Sequence, residues 1–208
     1  MGTIANGVIS MDLEGKVNYA LNQGDGLANN TCLYVYEDSS KNVWFGLDNG
    51  ISSISIDSPY QVYNDNDGNL GTVYASYQSD GILYIGTNQG LFYKEQNSNN
   101  PFTFIKNTQG QVWNLSVIDG TLFCGHDSGT FIINNKEANL IFGMQGTWDF
   151  MKLEDNLIVQ GNYDGLYVLQ KEKNTWRMRN KIKGFKNSAK YFIVLENGEI
   201  FVSHEYKG

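Results

Sequence analysis

Residues that interrupt sheets, or that do redox and metal chemistry, are scarce in this chain. Of 208 residues, 2 are proline, 2 are cysteine and 2 are histidine. The cysteines, Cys32 and Cys124, lie in apolar strand contexts of different repeats, so they are expected as buried free thiols rather than a disulfide, and they leave the compartment open. There is no G-x-S-x-G, no H-E-x-x-H and no phosphate loop, so the common hydrolase, zinc-protease and nucleotide signatures are missing, and neither cofactor nor metal is expected. No apolar run approaches the roughly 18 residues of a membrane helix. A charged segment followed by an apolar one does not open the chain, and MGTIAN lacks the Ser or Thr that an N-myristoylation signal wants at its sixth position. Positive charge is also short: 15 Lys and Arg against 22 Asp and Glu give a net charge of −7, so direct nucleic-acid binding is not expected.

Glycine and aromatics are plentiful instead, with 23 Gly and 13% aromatic residues, and they recur in register. The stretch NVWFGLDNG at 42–50 is an apolar run ending in a glycine, two polar residues and a second glycine. It returns as ILYIGTNQG (82–90), TLFCGHDSG (121–129), LIVQGNYDG (157–165) and IFVSHEYKG (200–208), the last with His204 at the first glycine. The closing glycines Gly50, Gly90, Gly129, Gly165 and Gly208 are spaced by 40, 39, 36 and 43 residues. A period of about 40 residues built on short apolar strands predicts an all-β chain, a β-propeller with one four-stranded blade per repeat. Each copy follows a strand and a tight turn, as in YASYQSDG (74–81) and WNLSVIDG (113–120), and Asp-Gly between apolar runs signals a two-residue hairpin. Third strands follow at ISSISI, LFYKE, TFIIN and LYVLQ, and a fourth, for example, at FTFI (102–105). The first glycine of each copy would let chains approach closely, and the second would take a left-handed turn.

This gives about five blades in one propeller region over 1–208: a partial blade at 1–23, blades at 24–66, 67–107, 108–143 and 144–183, and a partial blade at 184–208. The two partial blades either complete one another, or the chain is a piece of a larger propeller such as a seven-bladed one. The second is favoured, because no polar cap or closing segment stands at either end and five blades is rare for this repeat type.

In the repeat GDGLANNTCLYVYEDSSKNVWFGLDNGISSISID (24–57), Gly26, Leu27, Asn30, Glu37, Asp38, Trp44, Gly46 and Gly50 resemble the two-component regulator propeller repeat. The Tyr-rich link SPYQVYNDNDGNLGTVYAS and the last repeat are similar to one branch of it, the sensor regions of membrane-anchored transcription regulators with a triple-tyrosine motif. The resemblance covers nearly the whole chain. It implies a non-catalytic sensor or ligand-binding propeller, periplasmic or extracellular, in a bacterial signal-transduction or transcription regulator. Its implied partners are the remaining blades and signalling domains of a longer chain, either a histidine kinase or a helix-turn-helix DNA binder. A WD40 reading fits less well: Trp148-Asp149 spells the dipeptide, but it opens an inner strand.

Strand direction places the anchor loops and the links between blades on one face. That face gathers Asn29, Asn30, Asp48, Asn49, Asn88, Gln89, Gln109, His126, Asp127, Asn162, Tyr163, Asp164, His204 and Tyr206, beside Tyr74, Trp113, Trp148 and Tyr191 at the openings of the inner strands. Aromatic faces with amides and carboxylates suit a small polar molecule or oligosaccharide, and a glycan fragment is the expected signal. Tyr74, Asn88, Gln109, Trp113, His126, Asp127, Trp148, Asn162, Tyr191 and His204 are the candidate ligand residues. The plainer reading has the aromatics packing between blades and the polar residues finishing turns. His126 and His204 fall short of a metal site without a third ligand, and NDNDGN (64–69) fails as an EF-hand because Tyr74 stands where the bidentate Glu belongs.

The alternative function is a polysaccharide-active propeller enzyme using face carboxylates, Asp48 with Asp127 or Asp164. A sialidase-like site needs an arginine cluster, and this chain has two arginines, Arg177 and Arg179, both on an expected outer strand. Eight of the 15 Lys and Arg fall between Lys171 and Lys190. There WRMRNKIK alternates, placing Trp176, Met178 and Ile182 on one side and Arg177, Arg179, Lys181 and Lys183 on the other. That pattern predicts a half-buried outer strand whose charges block edge-to-edge aggregation, or a docking patch for an acidic partner.

Overall fold

The structure is a computed structural model that describes residues 1–60, 63, 65, 68–96, 98 and 100–203. It forms two compact units, Met1–Gly68 and Asn69–Gly208, each with cores of its own. In the first unit β1 (Val8–Met11) pairs with β2 (Val17–Leu21). A single 3-10 turn (Gln23–Asp25) capped by Asn22 leads to a three-stranded antiparallel sheet of β3 (Cys32–Glu37), β4 (Asn42–Leu47) and β5 (Ile51–Ser55). Val8, Leu27, Cys32, Phe45 and Leu47 are buried together beneath these strands.

In the second unit four sheets follow in chain order, each strand antiparallel to the one before it. They are β6 (Val73–Ser79), β7 (Ile82–Thr87), β8 (Leu91–Glu95) and β9 (Thr103–Phe104); then β10 (Val112–Ile118), β11 (Thr121–His126), β12 (Gly129–Asn134) and β13 (Glu137–Phe142). Next come β14 (Asp149–Glu154), β15 (Leu157–Asn162), β16 (Gly165–Glu172) and β17 (Thr175–Lys181), and finally the pair β18 (Tyr191–Val194) and β19 (Ile200–Ser203). The first strands β6, β10, β14 and β18 neighbour one another in that order. Apolar layers fill the spaces between sheets: Tyr84, Leu91, Val112 and Phe131 in one, Phe123, Phe150, Ile158 and Trp176 in the next, Val159, Leu166 and Phe192 in the third. Four-stranded up-and-down sheets stacked face to face are propeller blades, and the all-β propeller expected from the repeat is the fold observed.

Both glycine roles are visible. Asp80 and Gly81 have φ of 50° and 73°, and Asp119 and Gly120 have 48° and 72°, the positive pair that a type I′ hairpin needs. At the first anchor glycine a Cβ on Gly86 would lie 2.4 Å from Val112 Cγ1, and one on Gly161 would lie 1.9 Å from Ala189 O. The next sheet therefore packs against bare backbone.

Cys32 and Cys124 are both buried free thiols. The outer strand β17 departs from strict alternation. Its register shifts so that Val168 faces Asn180 and Leu169 faces Met178, leaving Arg179 as an extra residue. Within the regularly paired part before that bulge, Trp176 is buried while Met178, two residues on, is 43% exposed. No helix among the described residues is long and apolar enough to cross a membrane.

Candidate functional site: an aromatic cleft

The inner strands of the second unit share one irregularity. In β6 the pairing passes from Val73 opposite Thr87 to Ala75 opposite Gly86, and in β10 from Val112 opposite His126 to Asn114 opposite Gly125. Tyr74 and Trp113 are thereby left out of the ladder. At the third sheet both the Trp148 N–H and Asp149 meet Gly161, so the same extra residue appears there. A bulge turns the local side chain away from the sheet's own packing, and here it does so at successive openings.

The consequence is a row of rings. Tyr74 lies 5.0 Å from Trp113 between centroids, Trp113 lies 4.6 Å from Trp148, and Trp148 lies 5.0 Å from Tyr163, all tilted rather than parallel. Trp113 Nε1 donates to the Tyr163 hydroxyl (3.1 Å), and Trp148 Nε1 donates to Ser188 Oγ (3.0 Å). Beside the row is a cleft of about 340 Å³ lined by Tyr74, Trp113, Asn114, Trp148, Asp149, Lys190 and Tyr191. Tyr191 is 62% exposed at its rim. The Lys190 ammonium lies 4.9 Å over the Trp148 ring and 5.4 Å from the centre of the Tyr191 ring, the geometry of a cation on an aromatic face.

The polar group of the cleft is an oriented chain. Ser116 Oγ donates to Asn114 Oδ1 (2.5 Å), which turns the amide so that Asn114 Nδ2 donates to Asp149 Oδ1 (2.9 Å). The Phe150 N–H donates to the same oxygen at 2.8 Å. Burial raises the Asp149 carboxyl above the usual carboxylate range, against the opposing pull of those two donors.

Of the ten residues picked from sequence, Tyr74, Trp113, Trp148 and Tyr191 meet here. The others do not. His126 and Asn162 are fully buried. Asn162 Nδ2 donates to Met144 O (3.3 Å), Gln145 O (3.2 Å) and Thr147 Oγ1 (3.1 Å), while its Oδ1 accepts from Gln160 Nε2 (2.7 Å), so its hydrogen-bonding capacity is spent inside the sheet stack. The Ser128 N–H, which can only donate, points at His126 Nδ1 (2.9 Å), so the ring proton sits on Nε2 and is given to Thr108 O (3.2 Å). Asp127 Oδ1 is also 2.6 Å from Nδ1, a contact that favours a charged ring. Burial outweighs it and lowers the histidine pKa, which favours the neutral ring. Asn88 Oδ1 accepts from the Thr72 N–H (2.8 Å) and finishes a turn. Gln109 is exposed on the link between sheets. His204 and Tyr206 lie outside the described residues, as do Asn64, Asn66 and Asp67 of the NDNDGN run. Among the described residues no three His, Cys, Asp or Glu converge to hold a metal ion.

Asn114, Asp149 and Lys190 complete the cleft and were not singled out from sequence. One signal existed for the first two: each directly follows the aromatic residue that opens its inner strand, in the dipeptides Trp113-Asn114 and Trp148-Asp149.

No protein-family model and no curated protein matches the chain. Solved structures do. The extracellular domain of a protein described as a hybrid two-component system from B. thetaiotaomicron superposes with a TM-score of 0.68 at 19% identity, covering 98% of this chain and 30% of that one. A second such extracellular domain from the same organism gives 0.52 at 14% identity, covering 93% and 30%. The WD40 propeller domain of Doa1 gives 0.50 at 16% identity, covering 82% and 57%. At these identities the likeness is one of fold, a run of propeller blades. The chain spans about 30% of the length of the two extracellular domains.

Proposed function

We propose that this chain is the ligand-sensing part of a bacterial signal-transduction or transcription regulator, one propeller region acting outside the cytoplasm, in the periplasm or beyond. Its bound signal is a glycan fragment, held in the aromatic cleft. The observation that carries this reading is the contiguous row of Tyr74, Trp113 and Trp148 beside the oriented Asn114–Asp149 pair. Tilted rings offer an apolar wall to the C–H face of a sugar, and the amide and carboxylate offer directional bonds to its hydroxyls. The shared blade architecture of the two-component extracellular domains supports the sensor role by analogy of fold. On the same analogy its partners are further blades and the signalling domains of the parent chain.

A binding role is also supported by the carboxylate count. Glycosidases use two carboxylates flanking the bond to be broken, and the residues lining the cleft include one, Asp149. Asp164 is engaged elsewhere, by Lys181 (2.5 Å) and the Tyr167 hydroxyl. A screen of oligosaccharides by tryptophan fluorescence and by product analysis tests the proposal. Saturable quenching without cleavage is expected. Reproducible cleavage lost in Asp149→Asn would make the chain an enzyme and overturn it.

A further inference from the structure

We infer that the cleft selects a sugar carrying a protonated amine, an amino sugar, with Asp149 as its counter-ion. This rests on the cleft being the ligand site and adds the chemical class of the ligand. Asp149 Oδ1 takes both available donors, Asn114 Nδ2 and the Phe150 N–H, and both are neutral. Among the described residues Oδ2 accepts no hydrogen bond and Asp149 forms no ion pair. The second unit's paired lysines go to other carboxylates, Lys152 to Asp119 and Asp155, Lys181 to Asp164, and Lys136 to Glu95.

Lys190 also lines the cleft, but its ammonium is placed over Trp148 and Tyr191. Among the described residues the carboxylate is thus the charge left without a countercharge, half-buried beside aromatic walls. A neutral sugar hydroxyl could donate to Oδ2 but would leave that charge uncompensated. An acidic sugar would meet a like charge. An ammonium supplies a charge-assisted hydrogen bond to Oδ2, and the neighbouring aromatic rings favour the same cation. The Ser116–Asn114 bond holds the carboxylate in place before any ligand arrives, so little ordering accompanies binding.

The test is calorimetric and fluorescence titration of the 208-residue chain near pH 6, where a sugar amine is protonated. The probes are β-1,4-linked glucosamine disaccharide, its N-acetylated counterpart, cellobiose and choline. The free-amine disaccharide should bind at least about ten-fold tighter than the N-acetylated and neutral ones. Asp149→Asn, close to isosteric and checked by thermal melting, should bring the three disaccharides within about two-fold of each other. Lys190→Gln should tighten binding of the amine disaccharide, because a competing cation is removed from the cleft.

Equal or better binding of the N-acetylated or neutral disaccharide overturns the inference while the ligand-site reading stands. Weakening by Lys190→Gln, which marks an acidic ligand, overturns it likewise. Choline binding with no disaccharide binding, or no response to any probe, overturns both.

Discussion

The Trp113 indole N–H donates to the Tyr163 hydroxyl at 3.1 Å, joining the opening strand of one sheet to the anchor loop of the next. Both side chains also belong to the row of rings, so the bond ties the site to the stacking of the blades. Trp113→Phe keeps a ring against Tyr74 and Trp148 but removes the donor, and should lower unfolding free energy by about 0.5–1.5 kcal/mol in urea titration. Tyr163→Phe should cost a similar amount, and the double variant less than the sum of the two. A fully additive pair would show that the bond contributes nothing.

Anchor glycines should differ sharply in their tolerance of alanine. A Cβ on Gly161 would lie 1.9 Å from the Ala189 carbonyl oxygen, a backbone atom that cannot swing aside. At Gly46, in the first unit, the same addition meets nothing nearer than Tyr34 Cβ at 3.3 Å. Gly161→Ala is expected to destabilise by about 3 kcal/mol or more, and Gly46→Ala by less than about 1 kcal/mol. Thermal melts of the two variants decide it.

Buried His126 makes stability depend on pH in a defined direction. Its pKa is lowered by burial, with Asp127 and the Thr108 carbonyl opposing, so the unfolded chain binds a proton that the folded chain refuses. Unfolding free energy should therefore be fullest above the ordinary histidine value of 6.5 and fall as the pH drops below it. In His126→Gln that slope should vanish, measured by urea unfolding at a series of pH values.

Asp38 acts the other way in the first unit. The Trp44 indole N–H (2.8 Å) and the Asn42 side chain and backbone lower its pKa to about 2. Stability from this turn should be present above the ordinary value of 3.8 and lost as the pH falls through about 2. Trp44 fluorescence should report the loss, and Asp38→Ala should remove the transition.

Much of this architecture could be seen in the glycine-ended repeat, because period-2 strands, Asp-Gly turns and two conformationally special glycines are all local signals. Tyr74, Trp113, Trp148 and Tyr191 were legible for the same reason, each being the large aromatic at an inner-strand opening. Asp149 and Asn114 were not, since the bulges that shift each ring by one residue are decided by pairing across the sheet. His126 and Asn162 had loop-like surroundings in sequence. They are buried because the residue after the anchor glycine lies where the next sheet packs. Met178, placed by alternation beside Trp176 on an apolar side, is 43% exposed, and nothing in the pairing explains it.

Tyr74, Trp113 and Trp148 each hang from a different sheet, so no single loop sets the width of the cleft. Its span is the pitch of the blades. A molecule wedged along the rings acts as a brace between sheets, and any twist of one sheet against the next alters how well that brace fits. By reciprocity, occupancy of the cleft stiffens the pitch as much as the pitch governs occupancy. On the proposed reading, the mechanical output of binding would be carried by the spacing of the sheets themselves.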